Sequence, residues 1–440
     1  MAAVSGRVSE PRPDTMQRLV YVLWFVILCD PQWWIAGQFH ITAALRVPLV
    51  IVALLAITMF STPRKGDWLV GVLAFITATA INLPFSFNRG ASIVIIRGLI
   101  VYYLVGIGMV RAIRTPRAAG PILFVLCVGQ YLWWAAFGVR SGLVAWHPTL
   151  DNFDGYGPLM AMGVGPGYFY ATATKDVRRR TLAFIACGLC VVGVVSSFAR
   201  GAVLSTVATV VYIWFRSPNK GRSFGLVAAA VLIVAVAGSL INGKTRGDDT
   251  RSNFFAEMSS SFDKNDPTAN DRKVLWQAAR KVFAAHPVIG VGADQFGYAA
   301  ASMFKVGDVG GAYADNPNTL VGRALHNNYY QILAEYGLVG AGIYLFMIAQ
   351  FFRITRALTR AEAAAAWRAY GGVDDIGKIA LGIESSMVAF LLTGYFYNQL
   401  FLSWFFSLVS VAILLRSLVA TREAPPIVSR RRQAFIPARA

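Results

Sequence analysis

"ASIVIIRGLIVYYLVGIGMV", residues 91–110, decides the fold. Only Arg97 is charged in this run, and no polar face recurs every three or four residues. A helix that is apolar all round is buried in a large core or in lipid. At about 1.5 Å per residue, twenty residues cover the roughly 30 Å of bilayer hydrocarbon. Comparable runs recur at Pro121–Phe137, Thr181–Val195 and Phe224–Ile241. The chain is 56% hydrophobic and only 14% charged, whereas soluble domains average about 25% charged residues. These features predict an all-α polytopic membrane protein. No short apolar run near the start leads to an A-x-A-like site, so no cleavable signal peptide is expected.

Hydropathy predicts about twelve spans, near 19–36, 40–60, 67–86, 91–110, 118–138, 156–174, 181–199, 201–215, 223–241, 326–352, 377–398 and 400–418. Alternate short connections carry Arg64 and Lys65, then Arg111, Arg114 and Arg117, then Lys175 with Arg178, Arg179 and Arg180. The series continues with Arg216, Lys220 and Arg222, and with Arg353, Arg356, Arg360 and Arg368. The intervening loops hold chiefly Arg89, Arg140 and Arg200. This positive-inside asymmetry predicts cytoplasmic N- and C-termini. It also accounts for most of the +19 net charge, so nucleic-acid binding is not implied. Cys29, Cys127, Cys187 and Cys190 fall in or beside spans, where they are expected to pack as small residues.

The expected organisation is an N-terminal transmembrane bundle over 1–241, a long loop on the outer face over 242–325, C-terminal transmembrane helices over 326–418 and a basic cytoplasmic tail over 419–440. A loop of this length is often functional. Within it, Thr268 and Asp271 resemble a capping box before the apolar stripe Val274, Leu275, Ala278, Ala279, Val282 and Phe283. This predicts an amphipathic helix near 269–285, stopped by His286-Pro287 ahead of Gly290 and Gly292. Arg272, Trp276 and Arg280 share its other face at four-residue spacing. The polar stretch 244–270 reads as mobile, and 297–318 as a flap. Residues 139–155 form a second outer loop, and 361–375 a cytoplasmic connector with a short interfacial helix.

The polar residues able to do chemistry gather on the outer side. His326 opens the tenth span, where a neutral imidazole can act as general base near neutral pH. Asn327, Asn328 and Tyr329 follow, suited either to sugar hydroxyls or to capping the helix. Arg200 sits at a tight outer turn beside the N-terminus of the next span, a combination that favours phosphate. The alternative for Arg200 is snorkelling to headgroups. Arg272 and Arg280 could add guanidinium groups to a diphosphate, or simply be solvated. Arg46 and Arg97 lie within spans and are expected to find partners inside the bundle. His286 shapes a turn, while His40 and His147 have no evident partner. Asp151, Asn152 and Asp154 suit either a sugar or solvent. No P-loop, GxGxxG or HExxH motif is present. A lipid-linked diphosphate fits this pattern, since its tail stays in lipid while its head meets Arg.

On these residues the chain resembles the bacterial O-antigen ligase family of the ligase/polymerase superfamily. "SSFARGAVL" carries Arg200 and Leu204 in the family's Arg-x-x-x-Leu pattern. "NDRKVLWQAARKVFAAHPVIGVGADQF" and "HNNYYQILAEYGLVG" match its other two stretches. The resemblance implies a GT-C-like fold and metal-independent, inverting glycosyl transfer at the periplasmic leaflet of the inner membrane, with no cofactor. The donor would be undecaprenyl-diphosphate-linked O-antigen and the acceptor the lipid A–core oligosaccharide. His326, Arg200 and Arg272 would be catalytic, and Arg200, Arg272 and Arg280 would bind the diphosphate. Asn327, Asn328, Tyr329 and Trp276 would face the glycan.

The nearest alternatives are an O-antigen or exopolysaccharide polymerase and a protein O-oligosaccharyltransferase. A flippase would require charges spread along a pathway and internal repeats. Here the candidates cluster on one side.

Overall fold

The structure is a computed structural model and describes residues 15–30, 69–140, 144–145, 155–217, 219–244, 251–259 and 267–420. Helix α1 is Thr15–Cys29, α2 Val70–Asn82 and α3 Arg89–Ala112. Helix α4 runs over Pro116–Phe137 with a π turn at Val125–Gly129. Next come α5, Tyr156–Ala173; α6, Val177–Ser196; α7, Arg200–Arg216; and α8, Lys220–Leu240. The long connection after α8 holds α9, Phe254–Ser259; α10, Pro267–Ala285; and α11, Phe296–Met303. The chain then forms α12, Asn328–Leu358; α13, Ala361–Ala369; α14, Ile376–Thr393; and α15, Ser403–Ala420. Two short antiparallel pairs complete it: β1, Val139–Arg140, with β2, Val144–Ala145; and β3, Asn242–Lys244, with β4, Arg251–Asn253.

Among the described residues, seven helices are long and apolar enough to cross a membrane. Two shorter apolar helices, Thr15–Cys29 and Val70–Phe85, accompany them. The chain is therefore a polytopic, essentially all-α membrane protein. The expected span at 40–60 lies outside the described residues, as do Arg46, His40, His147, Asp151, Asn152 and Asp154.

Short polar side chains set the ends of several helices. Asp176 accepts from the Arg178 and Arg179 amides at 2.8 and 3.2 Å. Asp375 accepts from Gly377 and Lys378 at 3.0 and 3.3 Å, and Thr115 from Ala118 at 3.2 Å. Each satisfies first-turn donors that would otherwise be orphaned. Helix α5 is buried along almost its whole length and packs between α6, α7 and α14. All four cysteines are buried and free. Glu384 on α14, which the hydropathy reading passed over, is 2% exposed. It accepts from the Tyr212 hydroxyl and from Thr355 Oγ1 at 2.9 Å, and lies 3.5 Å from Arg216 Nη2. A carboxylate inside a span is tolerable only with partners of this kind.

Three expectations are corrected. Arg97 does not turn into the bundle: it is exposed on α3, where its long stem lets the guanidinium reach toward the interface. The stretch 244–270 contains described structure, namely β3 paired with β4 and the helix α9. One aromatic explains this, because Phe254 is buried against Val195, Ala237 and Ile241 and ties the polar segment to the bundle. Residues 297–318 are not a flap. Phe296, Ala299, Ala300, Val309 and Tyr313 pack with Leu275, Ala278, Ala279 and Val282 of α10 in a separate apolar core. The loop helix begins at Pro267, before the anticipated cap at Thr268, and ends at Ala285 as the His286-Pro287 pair predicts.

The loop is also bonded into a break in α12. Gly337 has φ 61° and ψ −157°, which interrupts the helix. The break exposes backbone groups that need partners. The Leu338 amide donates to Pro287 O at 2.8 Å and Val339 to Val288 O at 3.0 Å. In return the Val291 and Gly292 amides donate to Ala334 O and Glu335 O at 3.1 and 2.8 Å. The turn 287–292 is thus a structural splint that fixes α10 and α11 against the N-terminal part of α12.

Candidate functional site

The residues singled out from sequence meet around a segment that sequence reading merged into a span. Helix α14 ends at Thr393, and Gly394-Tyr395-Phe396-Tyr397-Asn398 follow in a turn before α15. The Asn328 amide donates to Gly394 O at 2.7 Å, and Asn327 Nδ2 to Tyr395 O at 3.0 Å. Asn398 Oδ1 accepts from the Asn327 amide at 3.2 Å, and Asn328 Oδ1 from the Gln399 amide at 2.7 Å.

Asn327 is also the cap of α12, its Oδ1 accepting from the Tyr329 and Tyr330 amides at 2.9 and 3.0 Å. The two asparagines are buried, at 0% and 1% exposure. They clamp the 394–399 segment instead of facing solvent, so the capping alternative describes Asn327. Tyr329 donates its hydroxyl to Leu391 O at 2.6 Å, a further link to the end of α14.

His326 stands between these fixed points. It is half-buried and adopts φ 51°, a left-handed conformation uncommon outside glycine and somewhat easier for histidine than for branched residues. On its N-terminal side, Leu325 O accepts from Trp276 Nε1 at 2.9 Å. On its other side the Asn327 amide is held by Asn398. The imidazole is therefore carried on a backbone pinned at both neighbours.

Trp276 stacks on Tyr330 with ring centroids 5.5 Å apart, and meets Tyr395 edge-on at 5.4 Å. One turn earlier on α10, the Arg272 guanidinium lies 5.9 Å from the Tyr397 ring centre. Its Nε is buried without a hydrogen-bond partner among the described residues. Arg280, one turn beyond Trp276, is exposed. The shared helical face therefore holds for Arg272 and Trp276, whereas Arg280 extends past the aromatic contact. His286 is exposed at the end of the same helix.

Arg200 reaches the same segment through its neighbour. A methyl group placed on Gly201 would lie 2.6 Å from Cγ of Phe396, so the aromatic ring covers the first turn of α7. Arg200 Nε and Nη2 are 3.1 and 2.9 Å from Glu257 Oε1 of α9, and the pair is only partly buried. No side chain caps α7, and the Ala202 and Val203 amides donate to Ala199 O at 2.9 and 3.2 Å. Together, Phe396, Tyr397 and Asn398 connect the α7 start, Arg272 and the backbone of His326–Asn327.

Among the described residues, no group of three or more His, Cys, Asp or Glu side chains is placed to hold a metal ion.

Residues 185–345 match the family model described as O-antigen ligase. Over these residues the chain is similar to the O-antigen ligase family. No curated protein matches the chain. The family segment contains Arg200, Arg272, Trp276 and His326, together with the splint and Gly337, and stops before the Tyr395–Asn398 turn. That turn carried a signal of its own. Three aromatics and an amide at the end of a span form an interfacial belt pattern. Hydropathy counts the aromatics as span and hides the turn.

Proposed function

We propose that the protein is a glycosyltransferase acting as an O-antigen ligase at the periplasmic face of the bacterial inner membrane. It would move O-antigen from an undecaprenyl-diphosphate carrier to lipid A–core oligosaccharide. The observation that carries this reading is the convergence of Arg272, the Arg200 helix start and the His326 backbone on residues 396–398. A donor held there presents its diphosphate to cations and its anomeric carbon to an acceptor hydroxyl beside a base.

In the reaction the acceptor hydroxyl attacks the anomeric carbon from the face opposite the diphosphate. The new C–O bond forms as the bond to the diphosphate oxygen breaks, inverting the centre. His326 takes the hydroxyl proton. Arg200 and Arg272 neutralise the leaving diphosphate, which is the main electrostatic demand of the step. Arg280, exposed further along α10, offers a third cation to an approaching donor. Trp276 holds Leu325 and supplies an aromatic face to sugar. Asn327, Asn328 and Tyr329 act through the backbone they fix. The donor diphosphate competes with Glu257 for Arg200.

The test is transfer by the purified chain in vesicles containing the lipid-linked polymer and lipid A–core. Loss of transfer in both His326→Ala and Arg200→Ala, with normal expression, supports the reading, and normal transfer in both refutes it. A deletion strain separates the polymerase alternative. A ligase deletion removes every O-antigen band while polymer accumulates on the carrier, whereas a polymerase deletion leaves a single-repeat band.

A further inference from the structure

A second polar site lies beside the arginines, under the splint. A cavity of about 180 Å³ is lined by Asp294, Tyr298, Arg323, Gln331, Glu335 and Asn398, among others. At about 30 Å³ per water it has room for roughly six waters, which is the scale of a single pyranose ring. Glu335 is 2% exposed and accepts from the Phe296 amide at 3.3 Å and from Gln331 Nε2 at 3.2 Å. Gln331 is 4% exposed, and its Oε1 has no hydrogen-bond partner among the described residues. A buried acceptor left unpaired on a polar cavity wall is costly without a donor to meet it. Burial also pushes the Asp294 carboxyl above its ordinary value.

The chemistry of this lining differs from that of the arginine end. Two carboxyl groups and an amide oxygen offer hydrogen-bond acceptors to hydroxyls, whereas a phosphate needs donors. Arg323, exposed at the mouth, offers donors to ring or glycosidic oxygens. Position matters as much as chemistry. Asn398 lines the cavity while its neighbour Tyr397 contacts Arg272, so the hydroxyl-accepting and anion-accepting ends are adjacent.

We infer that the Asp294–Gln331–Glu335 cavity is a saccharide subsite that binds one neutral, hydroxyl-rich pyranose unit beside the transfer centre. The inference rests on the glycan-transfer reading above, and it places the sugar-recognising groups just after the splint, at Asp294, and in the first turns of α12, at Gln331 and Glu335. Asn327 and Asn328 then support this site as positioning residues. Hydroxyls of the bound ring donate to Glu335, Asp294 and Gln331 Oε1, which satisfies the unpaired acceptor. A phosphorylated sugar brings further acceptors to an acceptor-rich lining and is disfavoured.

The test uses the full chain in nanodiscs with methyl pyranosides of gluco, galacto and manno configuration, read by saturation-transfer NMR, with glucose 6-phosphate as the anionic control. Wild-type protein is expected to bind at least one methyl pyranoside and to bind the phosphate at least tenfold more weakly. Asp294→Asn should weaken pyranoside binding at least tenfold at an unchanged unfolding midpoint, because asparagine tolerates the φ of 58° at this position. Arg323→Gln, at an exposed residue, provides a second variant if the first fails to fold. His326→Ala should leave binding unchanged. Absence of pyranoside binding, equal binding by the variants, or tighter binding of the phosphate overturns the subsite. If pyranosides bind as expected while wild-type protein transfers no glycan, the subsite stands and the ligase reading falls. If transfer proceeds without pyranoside binding, only the subsite falls.

Discussion

Replacing Gly337 with alanine tests the joint between the loop and α12. At φ 61° and ψ −157° the position lies in a region essentially restricted to glycine, where another residue costs about 1–3 kcal/mol. The added methyl would also lie 2.5 Å from both C and O of Val288 and 2.7 Å from Pro287 O. Those are backbone atoms, so relief requires the splint itself to move, at about 1–3 kcal/mol for overpacking. Movement of the splint weakens the Leu338–Pro287 and Val339–Val288 hydrogen bonds, each contributing about 0.5–1.5 kcal/mol. Taking the low end of each contribution gives about 3 kcal/mol, or roughly a 100-fold shift at 1.4 kcal/mol per decade. The assay is amide hydrogen exchange in detergent. Protection at Leu338, Val339, Val291 and Gly292 should fall about 100-fold in Gly337→Ala, while the interior of α5 remains protected. Gly342→Ala is the control: a methyl there meets nothing within 4 Å, and the exchange should stabilise α12 by up to about 1 kcal/mol. Unchanged protection at Leu338 and Val339 in Gly337→Ala would refute the splint.

The other predictions concern single side chains. Arg272→Ala should lower transfer at least 100-fold and Arg280→Ala less than fivefold, because only the first is buried against Tyr397; equal losses, measured as kcat/KM, would count against the geometry. Glu257→Gln should lower the donor KM about fivefold, consistent with losing a part-exposed ion pair of up to about 1 kcal/mol; a raised KM would mean that Glu257 instead positions Arg200. Trp276→Leu removes the indole bond to Leu325 O and both ring contacts, so it should reduce kcat more than tenfold while the membrane helices keep their unfolding midpoint in detergent. Glu384→Ala strands Tyr212, Thr355 and Arg216 and should destabilise the bundle by about 2 kcal/mol or more, while Glu384→Gln, which retains acceptor capacity, should cost less by chemical denaturation.

The local part of this architecture is legible in residue order. Long apolar runs specify membrane helices because hydrocarbon leaves their backbone no partner outside the helix. Apolar periodicity revealed α10, and His286-Pro287 ended it where proline removes a donor. Apolar and charged patterning gave no such guide over 244–270 and 297–318. The described part of the first, 251–259, is held by Phe254, and the second by Tyr313 with Ala299, Ala300 and Val309, each burying against distant elements. Arg97 was misplaced for a related reason, since its position within a span says nothing about which face of the helix it occupies.

The candidate site divides along the same line. Sequence alone brought out Arg200, Arg272, Trp276 and His326, because charged or polar groups at the edge of a bilayer are costly enough to stand out. It left Asn327 and Asn328 undecided between ligand and cap, for either use satisfies an amide side chain. Only the tertiary structure shows them clamping Tyr395–Gln399, because that partner lies some 70 residues away. Only packing, likewise, sets Tyr397 over Arg272 and Phe396 over Gly201, and joins the turn 287–292 to the break at Gly337. Periodicity reports the environment of one element. Hydrogen bonds and ring contacts between elements depend on where the chain returns, and that was decided by the fold.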